Sequence, residues 1–492
     1  MSKKNLLIKK ALVLVITLSV LFSVSIISSA SSLTMYDSTI TFQHFDYTLN
    51  PDNSFNSADP STITSTVFNT KVIENPYLKI TLLPDFGARI ISIIYKPTGH
   101  ELLYQNPLGT PYGIGEGNFY YDWLMVYGGI MPTFSEPEHG KYWLVPWDYQ
   151  IVEQSPQKIS IEMTKDDTVN FSGTPSKFNN GRTDITCKAT YTVYADKPYV
   201  EMKVKLINNK DQAVNYEYWT CTTLAPGTQP WNTAGSRSME IVAPMTEVKN
   251  KAEWWPWMAT VDEPVDPANH IYKFENLAFF SNWEDMGISY ANDLSGNWWG
   301  VINHDNEEGI LRIADNMNAT TGMKIWAWGC DQSYIDPYTN FGNSARPYIE
   351  LWGGNSYEFF ADAVLQPYEV KEWTEYYMPT FGLKNVTNAN EKAAAYLDYS
   401  IVEEQIDFTA QINATSPGET MRAVLELVGD NNYLLLDQNF VCGTTNATVF
   451  EVSRDMDTIA AGNYDYQLKV YDSSNNIVLT AKVPVKIEGS CW

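Results

Sequence analysis

Glu350 stands in the run Tyr348-Ile349-Glu350-Leu351-Trp352, a carboxylate with an aromatic ring two residues away on either side. In an extended strand successive side chains point to opposite faces, so Tyr348, Glu350 and Trp352 share one face and Ile349 and Leu351 the other. The same alternation puts Lys324, Trp326 and Trp328 on one face of the run KIWAWGC. Flat rings stack on the apolar face of a sugar, while a carboxylate binds hydroxyl groups or moves their protons. A sheet presenting both runs would make a sugar site, with Tyr348, Trp352, Lys324, Trp326 and Trp328 binding and Glu350 doing proton chemistry. The competing structural reading is a core face with one buried, hydrogen-bonded glutamate, and periodicity alone favours it.

Strands must carry these residues, and the chain is rich in strand signals. KVIENPYLKITLLPDFGARIISIIYKPTGHELLYQNP reads as four strands separated by turns, a β-meander. Alternating runs resume at 158–163, 185–193 and 200–207, the last two joined by a turn at Ala195-Asp196-Lys197-Pro198. Residues 113–147 form a ring-dense loop region with Tyr120, Tyr121, Trp123, Tyr127, Tyr142, Trp143 and Trp147, and WWPW at 254–257 is a second. Such loops on a sheet scaffold are where binding residues gather, and Trp143 is counted among them. The one stretch with a helical look is NEKAAAYL at 390–397. After about Tyr399 tryptophans thin out and clean alternation continues, which suits a separate β-sandwich of immunoglobulin or fibronectin type.

The address is written at the start. MSKKNLLIKK is basic, Ala11 to Ile27 is apolar, and Ser28-Ser29-Ala30 ends in small residues, the pattern of a secretory signal cleaved after Ala30. An uncleaved anchor is the alternative, because the apolar run is long. Export leaves no membrane segment after cleavage and takes the net charge from −25 to −29. That balance repels phosphate backbones and excludes nucleic acid as a natural partner. Five cysteines leave at least one unpaired within the chain; Cys442 and Cys491 are close enough in sequence to bridge. Cys187, Cys221 and Cys330 are scattered with no C-x-x-C and no neighbouring histidine, so spacing suggests no zinc, and no EF-hand-like spacing suggests calcium.

ENPYLKITLLPDFGARIISI, the GGI and PEHG segments, GMKIWAWG, YIELWGG and LQPYEVKEWTEYYMPTFG together resemble an uncharacterised family of the galactose-mutarotase-like superfamily, over roughly Val72 to Gly382. The resemblance implies an all-β fold, the β-supersandwich of the aldose epimerases, here followed by a small β-sandwich. In that fold a late glutamate is the base, a histidine from an earlier loop is the acid, and an arginine near the first hairpin helps bind sugar. By place in the chain these map onto Glu350, His139 and Arg89. The run Tyr216 to Leu224, which corresponds to the mutarotases' Asn-His strand, has no histidine.

The expected organisation is therefore a signal peptide (1–30), a lead-in (31–65), a mutarotase-like supersandwich (66–385), a linker (386–398) and a C-terminal sandwich (399–492). The expected partner is a mono- or polysaccharide, and no cofactor is required. Three chemistries compete. An epimerase would use Glu350 and His139. A glycoside hydrolase would pair Glu350 with Asp122, Glu136 or Glu138. A glycan-binding protein would need the rings alone.

Overall fold

Burial along Val200–Asn208 alternates residue by residue, with Val200, Met202, Val204 and Leu206 inward and the residues between them half in water. This is the signature of a strand with one face on a core and one wet. The computed structural model describes residues 33–52, 55–105, 108–109, 128–136, 139–170, 181–231, 235–316, 320–327, 329–330 and 349–488. Among them the only regular elements besides strands are 3₁₀ turns. The expected signal peptide, Cys491, Asp122, Glu138, Trp328 and Tyr348 lie outside the described residues.

The strands form two large sheets and two small ones. The larger sheet has 15 strands, and its middle runs Gly287–Ala291, Gly322–Ala327, Ile349–Gly354, Val214–Thr228, His100–Leu103, Arg89–Tyr95, Leu78–Leu83. An eight-stranded sheet faces it, built on Trp298–Asn303, Glu308–Ala314, Val370–Phe381, Val200–Asn208 and Ile185–Tyr194. One continuous core joins them: Ile80, Ile90, Ile325 and Leu351 from the first sheet meet Val204, Tyr191, Val301 and Trp373 from the second. The outer face of the larger sheet carries a separate ring-rich cluster that includes Trp143, Trp219, Cys221, Tyr290, Trp352 and Phe359.

Two segments differ from their sequence reading. The lead-in is a long hairpin, Thr34–Leu49 against Phe55–Glu74, that continues the large sheet through Leu78–Leu83. Its many threonines are strand formers once a neighbour is present, and Phe42 is buried in the outer ring cluster. NEKAAAYL is not a helix. Asn390 accepts hydrogen bonds from the Lys392 and Ala393 main-chain nitrogens, making a turn, and Ala393–Val402 is a strand. Ala393, Ala394 and Ala395 are fully buried, and tertiary burial overrides alanine's high intrinsic helix preference. With Asn388–Ala389 this strand belongs to the first of two four-stranded sheets that make the C-terminal sandwich. Ala394 packs with Trp298, Leu311 and Met378 on the outer side of the eight-stranded sheet.

Buried charge braces the site from two sides. Behind it, in the inter-sheet core, Glu375 accepts from Trp373 Nε1 (2.8 Å), Tyr377 Oη (2.7 Å) and Thr220 Oγ1 (3.0 Å) and pairs with Arg312 at 3.0 Å. Arg312 holds this carboxyl below the usual carboxylate range against the opposing effect of burial. In front, Lys141 donates to Asp167 at 3.0 and 3.1 Å, and Asp167 also accepts from Ser135, Tyr142 and Thr183. This knot holds Ser135 and the segment 139–147.

Removing one partner of a buried ion pair strands the other charge, at a cost of about 3–5 kcal/mol. Glu375→Gln should therefore lower the stability of the main unfolding transition in urea by about that much; a loss under about 1 kcal/mol would show that Arg312 finds another partner. Lys141→Met should cost a similar ~3–5 kcal/mol and expose residues 135–147 to limited proteolysis.

Candidate functional site

Strands Gly322–Ala327 and Ile349–Gly354 pair antiparallel, with Lys324 opposite Trp352 and Trp326 opposite Glu350. On the other side Val214–Thr228 sets Cys221 opposite Trp352 and Thr223 opposite Glu350. Period-two alternation therefore brings Lys324, Trp326, Glu350, Trp352 and Cys221 onto one face, while Met323, Ile325, Ile349 and Leu351 join the inter-sheet core.

The space these strands need is made by glycine. A side chain at Gly354 would sit 2.2 Å from the Trp219 ring, and one at Gly353 would sit 3.0 Å from Arg312. Because both faces of the strand end are filled, neither position tolerates a Cβ without movement.

Glu350 is 3% exposed, and its Oε2 accepts from Trp352 Nε1 at 2.8 Å. The Lys324 ammonium lies 4.2 Å from the ring centroids of both Trp352 and Phe359. Across from the strands, the tethered loop supplies His139 and Trp143. Their rings lie 4.5 Å apart, and His139 meets the edge of Trp352 at 5.2 Å. Burial, then the Lys324 and Arg89 charges, push the His139 imidazole well below its usual range, so the ring is neutral near pH 7. Its Nδ1 is buried and has no hydrogen-bond partner among the described residues.

Arg89 is fully buried and donates to the main-chain carbonyls of Phe86 (3.0 Å), Gly128 (3.1 Å) and Trp143 (2.9 Å). It ties the first hairpin to the loop that carries Trp143 and to Gly128, whose φ of +91° suits glycine. Trp326 is nearly buried and packs with Tyr104, Met286 and the partly buried Trp255 of the WWPW loop.

The fold thus brings together Glu350, Trp352, Lys324, His139 and Trp143, with Trp326 directly beside Glu350 and Arg89 one contact away through Trp143. Sequence reasoning missed Cys221, Phe359 and Tyr290. Cys221 had a signal: in Tyr216–Leu224 alternation sets Trp219, Cys221 and Thr223 on a common face. Cys221, His139 and Glu350 each offer a ligand atom, all within 4.8 Å of one another. Burial and the Glu350 charge raise the thiol well above its usual range, while Lys324 and Arg89 pull it down.

Solved structures with this shape include a TPR-domain containing protein from Parabacteroides distasonis, 17% identical, with a TM-score of 0.55 over 71% of this chain. The chain spans 56% of the length of that protein. Galactose mutarotase-like proteins from Clostridium acetobutylicum and Lactobacillus casei are each 8% identical. The first is matched over 64% of this chain and 95% of its own length at a TM-score of 0.40. For the second the figures are 63%, 100% and 0.37. One family model matches residues 47–380, about two thirds of the sequence, and on that match the chain belongs to the family described as domain of unknown function DUF5107.

Proposed function

We propose that the chain is a secreted carbohydrate-active protein that binds a sugar against the face carrying Glu350 and acts on it through that carboxylate. The observation that carries this reading is the cross-strand pair of Trp326 and Glu350, flanked on the same face by Trp352 and Lys324. A ring beside a carboxylate offers both surfaces a sugar presents, its apolar C–H face and its hydroxyl edge. The sequence motifs at 74–93, 348–354 and 365–382 support the sugar class through their resemblance to the galactose-mutarotase-like superfamily, and the N-terminal pattern supports export.

In an epimerase-like reaction Glu350 takes the proton of the anomeric hydroxyl while an acid protonates the ring oxygen. The bond from C1 to the ring oxygen opens, and reclosure on the opposite face of C1 gives the other anomer. His139, held neutral, serves this scheme better as a hydrogen-bond partner of a hydroxyl than as a cationic acid.

Hydrolysis needs a second carboxylate about 5–9.5 Å from the first. Among the described residues, Glu136 faces Lys141 at 3.5 Å. Glu217 stands six positions along its strand from Thr223, the partner of Glu350, roughly 20 Å away. The other two carboxylates weighed for this role, Asp122 and Glu138, lie outside the described residues, and hydrolysis stays the alternative chemistry.

Purified protein should be mixed with free aldoses and a glycan panel, following anomer exchange by NMR, released reducing sugar, and binding by calorimetry. Glu350→Gln should reduce turnover by about 10²-fold or more while leaving the circular dichroism spectrum unchanged. Release of reducing sugar would replace the epimerase with a hydrolase, and binding by parent and variant without turnover by either would leave a glycan-binding protein. Trp326→Ala should weaken sugar binding about tenfold, and unchanged affinity would remove this face as the sugar platform.

A further inference from the structure

The thiol of Cys221 has no part in the sugar chemistry above, yet it lies on the same face and within reach of two other ligating side chains. We propose that His139, Cys221 and Glu350 hold a divalent transition-metal ion of the zinc class. Their ligand atoms lie within 4.8 Å of one another. Ligand bonds of about 2.0–2.3 Å in a tetrahedral site need separations of roughly 3.2–3.8 Å, so a contraction of about 1 Å would close the cage.

Imidazole nitrogen, thiolate and carboxylate are the mixed N, S and O donors that this borderline-soft ion accepts. An independent observation points the same way. His139 Nδ1 is buried and unpartnered among the described residues, a costly state that an ion bound there would relieve. The surroundings are those of a supported ligand set, with Trp352 Nε1 orienting Glu350 at 2.8 Å and Trp143 stacked on His139 at 4.5 Å.

Charge sets a condition on the ligand set. Arg89 and Lys324 both act on His139, and a dication beside two cations needs two anionic ligands. Glu350 supplies one, and Cys221 supplies the other by releasing its proton to water when the ion enters. Three protein ligands leave a fourth position for water or a sugar hydroxyl. The inference goes beyond the sugar reading and does not need sugar to bind.

The test uses the full chain, stripped by chelator dialysis and titrated with Zn²⁺ and Co²⁺. One Zn²⁺ should bind per chain, and Co²⁺ should give the intense near-ultraviolet band of a thiolate ligand. Cys221→Ser should abolish that band and weaken Zn²⁺ binding about tenfold or more, whereas Cys330→Ser should leave both unchanged. His139→Gln should weaken Zn²⁺ binding comparably while keeping the thiolate band, which guards against a Cys221 variant that fails to fold. No bound ion, or equal binding by Cys221→Ser, would overturn the proposal. Glycan binding by a protein that takes no metal would sink the metal site and leave the sugar reading standing; metal binding without any sugar affinity would do the reverse.

Discussion

The register between Gly322–Ala327 and Ile349–Gly354 is the constraint on which the rest of the site depends. Lys324 faces Trp352 and Trp326 faces Glu350 only in this alignment. A slip of one residue would exchange the two faces of the strand, sending Glu350 into the inter-sheet core and Leu351 toward the rings. The slip is opposed on both sides at once, because Ile325 and Leu351 are locked into the inter-sheet core and Trp352 into the outer cluster. Glycines at 322, 353 and 354 then allow Trp219, Arg312 and the Ser356 carbonyl to close over the strand ends.

Electrostatics follow from that register. A chain with a net charge of −25 places two cations, Lys324 and Arg89, close enough to His139 to act on its imidazole. Cations kept away from water must be paid for by fixed partners. Arg89 is balanced by three main-chain carbonyls, Lys324 by the faces of two rings, and Arg312, one layer behind, by Glu375. The site is thus set between two layers of fixed charge, and its groups experience a field that reorients little when a ligand enters.

Much of this was legible in the sequence wherever a period of two was clean. The facing of Glu350 with Trp352, and of Lys324 with Trp326, was readable from alternation alone, as was the all-β class. The long hairpin of residues 34–74 was hidden because its threonines and serines have the composition of a loop, and its strand character depends on a neighbour. The alanines of 393–395 signalled helix through local preference, while their burial between two domains decided otherwise. The company Cys221 keeps and the Lys141–Asp167 knot were hidden for another reason: their partners are distant in sequence, with His139 and Cys221 82 positions apart. Spacing rules for ligands and ion pairs read only neighbours along the chain, and these neighbours are made by the sheet.

The glycines that end the Glu350 strand bear on how this protein could be reshaped. Because Gly353 abuts Arg312 and Gly354 abuts Trp219, these positions act as fixed pillars, and a library that randomises them would mostly yield misfolded chains. Trp326 stands differently from these glycines and from the fully buried Trp143, since its ring keeps 9% exposure on a backbone held by its strand partners. A redesign for a different ligand has its freedom there, in ring size and polarity, on a frame whose glycines are left untouched.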